Sequence, residues 1–254
     1  MMQAPSAAQL LSVWERARSQ PMTTQALLLL EAASPGASWE DLAKLSVGRR
    51  DAHLLALREA LFGPRLTALT LCPGCSQQLE IGIVASEIQV DVAATGSESL
   101  TVASGDYIAR FRLPNSEDLS AIATADDSQP DEAATIRRLL SRCLIELRRN
   151  GRKQKLDAAR VLPPELVEAI AAEMESADPQ ANVQILLDCA DCGNRWLSTF
   201  DIVSFLWSEI DNWAKRILRE VCALASAFGW GESDILSMSA QRRQSYLEMI
   251  GDMS

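Results

Sequence analysis

The apolar positions of this chain follow two periods, and the switches between them mark its elements. In the first 70 residues the period is helical. Leu10, Leu11 and Trp14 recur three to four residues apart, and Thr23 or Thr24 is placed to cap a second helix through QALLLLEAA, which Ser34-Pro35-Gly36 stops. Ser38, with Asp41 three residues on, opens a third helix. The stretch RRDAHLLALREALFG, apolar at 54, 55, 57, 61 and 62, forms a fourth that Gly63-Pro64 closes. The period then falls to two. LEIGIV, IQVDVA, SLTVA and DYIARFRL alternate or carry β-branched residues, with Gly-Ser and Ser-Gly-Asp turns between them. These predict a small antiparallel sheet.

Helical spacing returns after the Pro114-Asn115-Ser116 turn, in EDLSAIATA, TIRRLLSRCLIELRR and VLPPELVEAIAAEMESADP. The acidic loop DDSQPDEA lies among them, and its Asp126/Asp127 pair reads as a solvated face. NVQILLDC is a further strand. Beyond Asp201, positions Leu206, Ile210, Trp213, Ile217, Val221, Ala225 and Phe228 draw one stripe along about seven helical turns, ended by Gly229 and Gly231. Ser239 caps a last helix, AQRRQSYLEMIG. Trp207 sits off the stripe's centre beside Trp213, which makes it a candidate partner anchor.

Two Cys-x-x-Cys pairs change the picture from a bare α+β outline to one with a metal staple. Cys72/Cys75 in LCPGC and Cys189/Cys192 in DCADCG have zinc-knuckle spacing, with turn residues inside or just after each pair. An apolar residue follows each pair at the same distance, Leu79 and Trp196, and opens a strand-like run. Two knuckles complete a four-sulfur site, so one structural zinc per chain is expected, in a ribbon whose strands are continuous with the small sheet. Residues 76 to 188 intervene, far more than the roughly 15–20 of a compact ribbon, so an insertion is implied. Unmetalled cysteines packing as small hydrophobes are an alternative. Redox chemistry would need a CxxC opening a helix after a strand, a setting that neither pair has.

Charge and composition narrow the function. The formal net charge of −10 over 254 residues opposes binding to phosphate backbones at long range. RRNGRKQK is the local exception, with Arg148, Arg149, Arg152, Lys153 and Lys155. It lacks interleaved aromatics and reads as a solvated helix end and turn, or as a docking patch for an acidic partner. No basic segment leads into an apolar leader, and no run of about 18 apolar residues exists. Six cysteines, with Cys143 and Cys222 unpaired in sequence, fit a reducing cytoplasm. The single histidine, His53, reads as a packing or surface residue. G-x-S-x-G, phosphate-loop, G-x-G-x-x-G and H-E-x-x-H motifs are all missing. Four thiolates would leave a metal no open position, so no enzymatic activity and no small-molecule substrate are expected.

The ordered blocks LSVGRRDAHLLALREALFGPRL, CPGCSQQLE, FRLPNSEDL, CADCGNRW, FDIVSFLWSEIDNWAKRILREV and WGESDILSMSAQRRQSYLE resemble the T-even-type phage baseplate hub assembly chaperone family, of contractile tails and contractile injection systems. The resemblance runs from about residue 8 to 250. One departure is Cys222, where the family's helix carries a histidine. The resemblance implies a protein that helps build the baseplate hub, transiently or as a minor structural part, with baseplate hub proteins as partners. The leading expectation is a non-catalytic assembly chaperone, and the apolar pattern and charge give no membrane span and disfavour nucleic acid. In that expectation the C-terminal helix pair, through Trp207, Trp230, Arg242, Arg243 and Tyr246, holds or orients a hub subunit. Two rival roles are a permanent structural baseplate component and a zinc-ribbon nucleic-acid-binding accessory protein. The expected fold is α+β, mostly α: a helical body with a small antiparallel sheet and a zinc-ribbon-like element. Its parts are an N-terminal helical segment (1–70), the first knuckle and sheet (71–113), a helical insertion (114–180), the second knuckle pairing with 71–84 (181–200), and C-terminal helices (201–254).

Overall fold

The computed structural model describes residues 2–90, 99–124, 131–156 and 161–252. The chain forms two compact units, Met1–Ala37 with Ile202–Ser254, and Ser38–Asp201. The N-terminal segment expected at 1–70 is therefore shared between them, and the chain changes unit just after the Ser34-Pro35-Gly36 break. In the first unit, α1 (Ala7–Ala17) begins with a reciprocal cap. The Gln9 amide donates to Ser6 Oγ at 3.3 Å and the Ser6 amide to Gln9 Oε1 at 2.9 Å. Helix α2 (Met22–Ala33) starts after Pro21, so Thr23 and Thr24 lie inside its first turn instead of capping it. Its Leu27, Leu29, Leu30 and Ala33 are all buried, and Gln25 donates to the Ala17 carbonyl at 3.1 Å.

The second unit opens with α3 (Trp39–Lys44), capped by Ser38 as expected, and α4 (Val47–Phe62), closed by Gly63 at φ 86°. Next come β1 (Arg65–Leu71), β2 (Gln78–Val84) and a single helical turn, α5 (Ala85–Ile88). Strands β3 (Leu100–Ser104) and β4 (Tyr107–Phe111) pair around Gly105. Helices α6 (Ser116–Ala123) and α7 (Glu132–Cys143) precede β5 (Leu144–Arg149) and β6 (Arg152–Lys153). Helix α8 (Pro164–Ala177), a 3₁₀ turn (Pro179–Ala181), β7 (Gln184–Asp188) and β8 (Arg195–Thr199) complete the unit.

Four expectations are corrected here. The strands do not form one sheet with the ribbon: β1–β2, β3–β4–β5–β6 and β7–β8 are separate antiparallel sheets. The run TIRRLLSRCLIELRR is half helix and half strand. Its break is enforced downstream, where Asn150 and Gly151 both take positive φ (49° and 76°), the two-residue turn that reverses β5 into β6. IQVDVA is no strand at its described end. The Val90 amide donates to Gln180 Oε1 (2.7 Å) and Gln180 Nε2 to the Ile88 carbonyl (3.2 Å), so a buried side chain takes the place of a strand partner. Strand β1 was not expected at all. The Asp126/Asp127 loop lies outside the described residues.

The core of this unit is one face of the four-stranded sheet, Ala109, Phe111 and Leu147, under Leu140 of α7 and Leu166 and Ile170 of α8. Each large side chain there contributes about 1.5–3 kcal/mol by leaving water. A polar junction links the starts of α4 and α6. Asp178, at the end of α8, accepts from the Gly48 amide (2.8 Å) and Ser46 Oγ (3.0 Å), and the Val47 amide donates to the Pro114 carbonyl (3.0 Å). Fully buried Asp118 accepts from Arg112 Nη2 (2.9 Å), Arg142 Nε (2.8 Å) and the Asn115 amide (3.1 Å).

The chain returns to the first unit as α9 (Ile202–Phe228), α10 (Glu232–Ser237) and α11 (Ala240–Asp252). The stripe on α9 is real but turned slightly. Leu206, Ile210, Ala214, Ile217, Val221 and Leu224 are buried, while Trp213 and Ala225 are half-buried and Phe228 is exposed. Helix α9 packs on α1, α2, α10 and α11. Gly229, at φ 69°, ends it, and Ser239 Oγ caps α11 by accepting from the Arg242 amide at 3.2 Å. The fold is thus mostly helical with small antiparallel sheets, as the sequence predicts.

Candidate metal centre

Both knuckles sit at the tips of β-hairpins, and the hairpins repeat each other position by position. Strands β1 and β2 flank Cys72 and Cys75, and β7 and β8 flank Cys189 and Cys192. In the first, the Cys72 amide donates to the Gln77 carbonyl (2.9 Å) and the Ser76 amide to the Cys72 carbonyl (2.8 Å). In the second, Cys189 donates to Asn194 (2.9 Å) and Gly193 to Cys189 (2.9 Å). Ser76 and Gly193 take the same left-handed turn, at φ 60° and 72°. The register repeats too: Leu69 opposite Glu80 corresponds to Leu186 opposite Leu197.

Face to face, the knuckles bring all four sulfurs within 4.8 Å of one another. The Cys72–Cys192 and Cys75–Cys189 Sγ separations are both 3.6 Å. A tetrahedral ion with metal–sulfur bonds near 2.3 Å needs sulfur–sulfur edges of about 3.8 Å, so the donor set fits such an ion with little movement. Gly74 lies where a Cβ would stand 3.2 Å from Asn194 Cβ, so its lack of a side chain lets the knuckles approach. Cys72 and Cys189 are buried, and Cys75 and Cys192 are exposed.

The thiols differ in acidity. Burial raises Cys72, but the Cys75 and Gly74 amides and the neighbouring sulfurs outweigh it and bring the thiol down to about 6. At Cys75 the Gln77 amide pulls the other way, and the surrounding sulfurs with lost solvent push it up to about 12. Cys192 is also raised, against the pull of the Asn194 amide, by burial and by the Cys72 and Cys189 sulfurs. One thiolate is thus ready beside protons that an incoming cation would displace. All four positions of such an ion would be filled by protein.

The other singled-out residues lie elsewhere. His53 is exposed on α4, and Cys222 is exposed on α9. Cys143 is fully buried, and burial pushes its thiol up to about 12. Trp207 is half-buried. Trp230 stacks on Phe228 with ring centres 4.5 Å apart, and Tyr246 meets both rings edge-on at 4.8 and 5.7 Å. These rings fill one another's space and clamp the Gly229–Gly231 turn. Arg242 is exposed over the Tyr246 ring (5.8 Å), whereas Arg243 is buried, donating to Glu220 (3.0 Å) and to the Met238 carbonyl (2.6 Å). The Asp178 and Gln180 contacts carry no local sequence signal, since their partners at Ser46, Gly48, Ile88 and Val90 lie far back along the chain.

Two hairpins that bring four cysteines, distant in sequence, to one point on a helix-and-sheet frame define a protein with a candidate four-sulfur metal centre. This chain belongs to the T4 bacteriophage base plate protein family, whose model matches residues 28–207, a span that includes both knuckles and all of the second unit. No curated protein and no solved structure matches the chain. Among the described residues no helix is long and apolar enough to cross a membrane.

Proposed function

We propose that this chain is a non-catalytic assembly factor, a chaperone for the baseplate hub of a contractile phage tail or contractile injection system, acting in the cytoplasm. The family match over residues 28–207 carries the baseplate assignment. The closed four-cysteine set supports a non-catalytic role, because an ion held by four thiolates has no site left for substrate. In this reading the ion is one structural zinc per chain, which thiolate donors in tetrahedral array favour together with iron. Trp207 and Arg242, on the C-terminal helices, remain available to meet a hub protein. Arg243, Trp230 and Tyr246 shape the surface around Arg242 from within, at the end of α9 away from Trp207.

The family description fits a permanent baseplate part equally well, and that is the second reading. Deleting the gene and analysing particles by quantitative mass spectrometry separates the two. The chaperone reading expects no intact baseplates without the protein, and wild-type particles that contain it far below one copy per hub. Stoichiometric recovery from washed particles would establish the structural part instead. Normal particles from the deletion would end both.

A further inference from the structure

The β3–β6 sheet has one face in the core and one face open. By register, Ala103, Ile108, Arg148 and Lys153 lie across from one another in one row on the open face, with Thr101, Arg110 and Glu146 in the next. Thr101, Ala103, Ile108, Arg110, Arg148 and Lys153 are all exposed, Ile108 at 44%. Three cations and one anion therefore surround an apolar centre. Glu146 lies within 2.7 Å of Arg148 and 3.5 Å of Arg110, which holds both guanidinium groups in place while leaving N–H donors outward. Arg149 and Arg152 alternate to the other side of the sheet, where Arg149 leans over Tyr107 at 5.3 Å from its ring centre. In a chain of net charge −10 this face reverses the sign of the surrounding field.

We infer that the open face of the β3–β6 sheet is a docking surface for an acidic segment of a partner protein, one that sets carboxylates against Arg110, Arg148 and Lys153 and an apolar side chain on Ile108. Arginines fixed in a row suit carboxylates, which they bind through paired N–H donors. Ile108 supplies what a purely ionic contact lacks, a patch that gains by leaving water. Nucleic acid fits less well. Among the described residues the face offers no exposed aromatic ring for a base to stack on, and the net charge opposes a polyanion whose charge extends beyond the patch. The inference rests on the assembly reading only for the partner's identity, a baseplate protein.

The test coexpresses the full-length chain with the baseplate proteins of its own tail and measures capture at low and high salt. A zero-length carbodiimide then joins the Lys153 amine to any carboxylate seated on it. Two variants are compared with wild type: Arg110→Glu/Arg148→Glu/Lys153→Glu, and the milder Arg110→Gln/Arg148→Gln/Lys153→Gln, which retains size and fold. Expected are capture of a baseplate protein by wild type, a cross-link from Lys153 to an acidic segment, and at least tenfold weaker capture by both variants and in 0.5 M salt. Equal capture by wild type and the Gln variant overturns the docking surface and leaves the assembly reading intact. No capture of any baseplate protein by wild type overturns both. Retention of a 30-nucleotide single-stranded DNA that the Gln variant loses, without protein capture, replaces the acidic protein by nucleic acid.

Discussion

Gly48 illustrates how a single position can be dictated by a residue far along the chain. A Cβ there would stand 2.3 Å from Asp178 Oδ1 and 2.8 Å from the Ala181 amide nitrogen. Gly48→Ala should therefore destabilise the protein by about 1–3 kcal/mol through overpacking, read as a lower urea midpoint with an unchanged slope. Asp118 sets a pH limit. Burial raises its carboxyl, but hydrogen bonds from Arg112 and the Asn115 amide outweigh this and hold it below the usual carboxylate range. A group whose folded pKa is depressed stabilises the fold above its unfolded value and ceases to do so as pH falls through the folded one. Asp118→Asn should thus cost roughly 3 kcal/mol at neutral pH. The gap from wild type should shrink below about pH 4, and a gap that stays constant to pH 2 would show that the carboxylate carries no such charge. The cysteines were legible because a knuckle is local, four residues and a turn. Asp178 and Gln180 were not, since the amides they serve lie 130 and 90 residues away.

At the scale of elements, helices with their own caps were readable and strands were less so. Ser38, Gly63, Asn115 and Ser239 mark helix ends that the structure keeps. The error at TIRRLLSRCLIELRR arose because Leu144 and Leu147 are three apart, a helical spacing that a strand accommodates only through the register shift between Arg110 and Phe111. The Asn150-Gly151 turn that decides between helix and strand lies just beyond. Gly151→Ala, at φ 76°, should cost about 1–2 kcal/mol and shift the thermal midpoint down, whereas Gly82→Ala, in open space on β2, should not. Strand β1 escaped because only Leu66 of its three leucines is buried, whereas Leu69 at 65% and Leu71 at 63% are exposed, so its apolar pattern marks no core face. The hairpins share no strand pairing and meet through cysteines. The purified protein should carry about one zinc per chain, and Cys72→Ser/Cys189→Ser should lose it together with several kcal/mol of stability, since the clasp closes a loop of more than 100 residues. A metal-free protein as stable as the variant would return the cysteines to packing.

For the molecule as a whole, the two units have separate cores, and the clasp belongs to one of them. Chelating the metal should therefore speed hydrogen exchange in β1, β2, β7 and β8 first. Amides of β4 and β5, under α7 and α8, should keep their protection, and uniform loss would mean that the clasp and the sheet core unfold as one. The order of the chain has a consequence of another kind. Helices α1 and α2 find their cover in α9 and its neighbours, yet residues 38–201 are synthesised in between. At about 5–20 residues per second the nascent α2, with leucines at four successive positions, waits on the order of ten seconds for the helix that buries it. Throughout that wait α1 alone is there to cover it, and the faces that both helices turn to α9 stay bare on the ribosome. A protein whose proposed task is to shepherd the assembly of others thus begins its own life in need of the same protection.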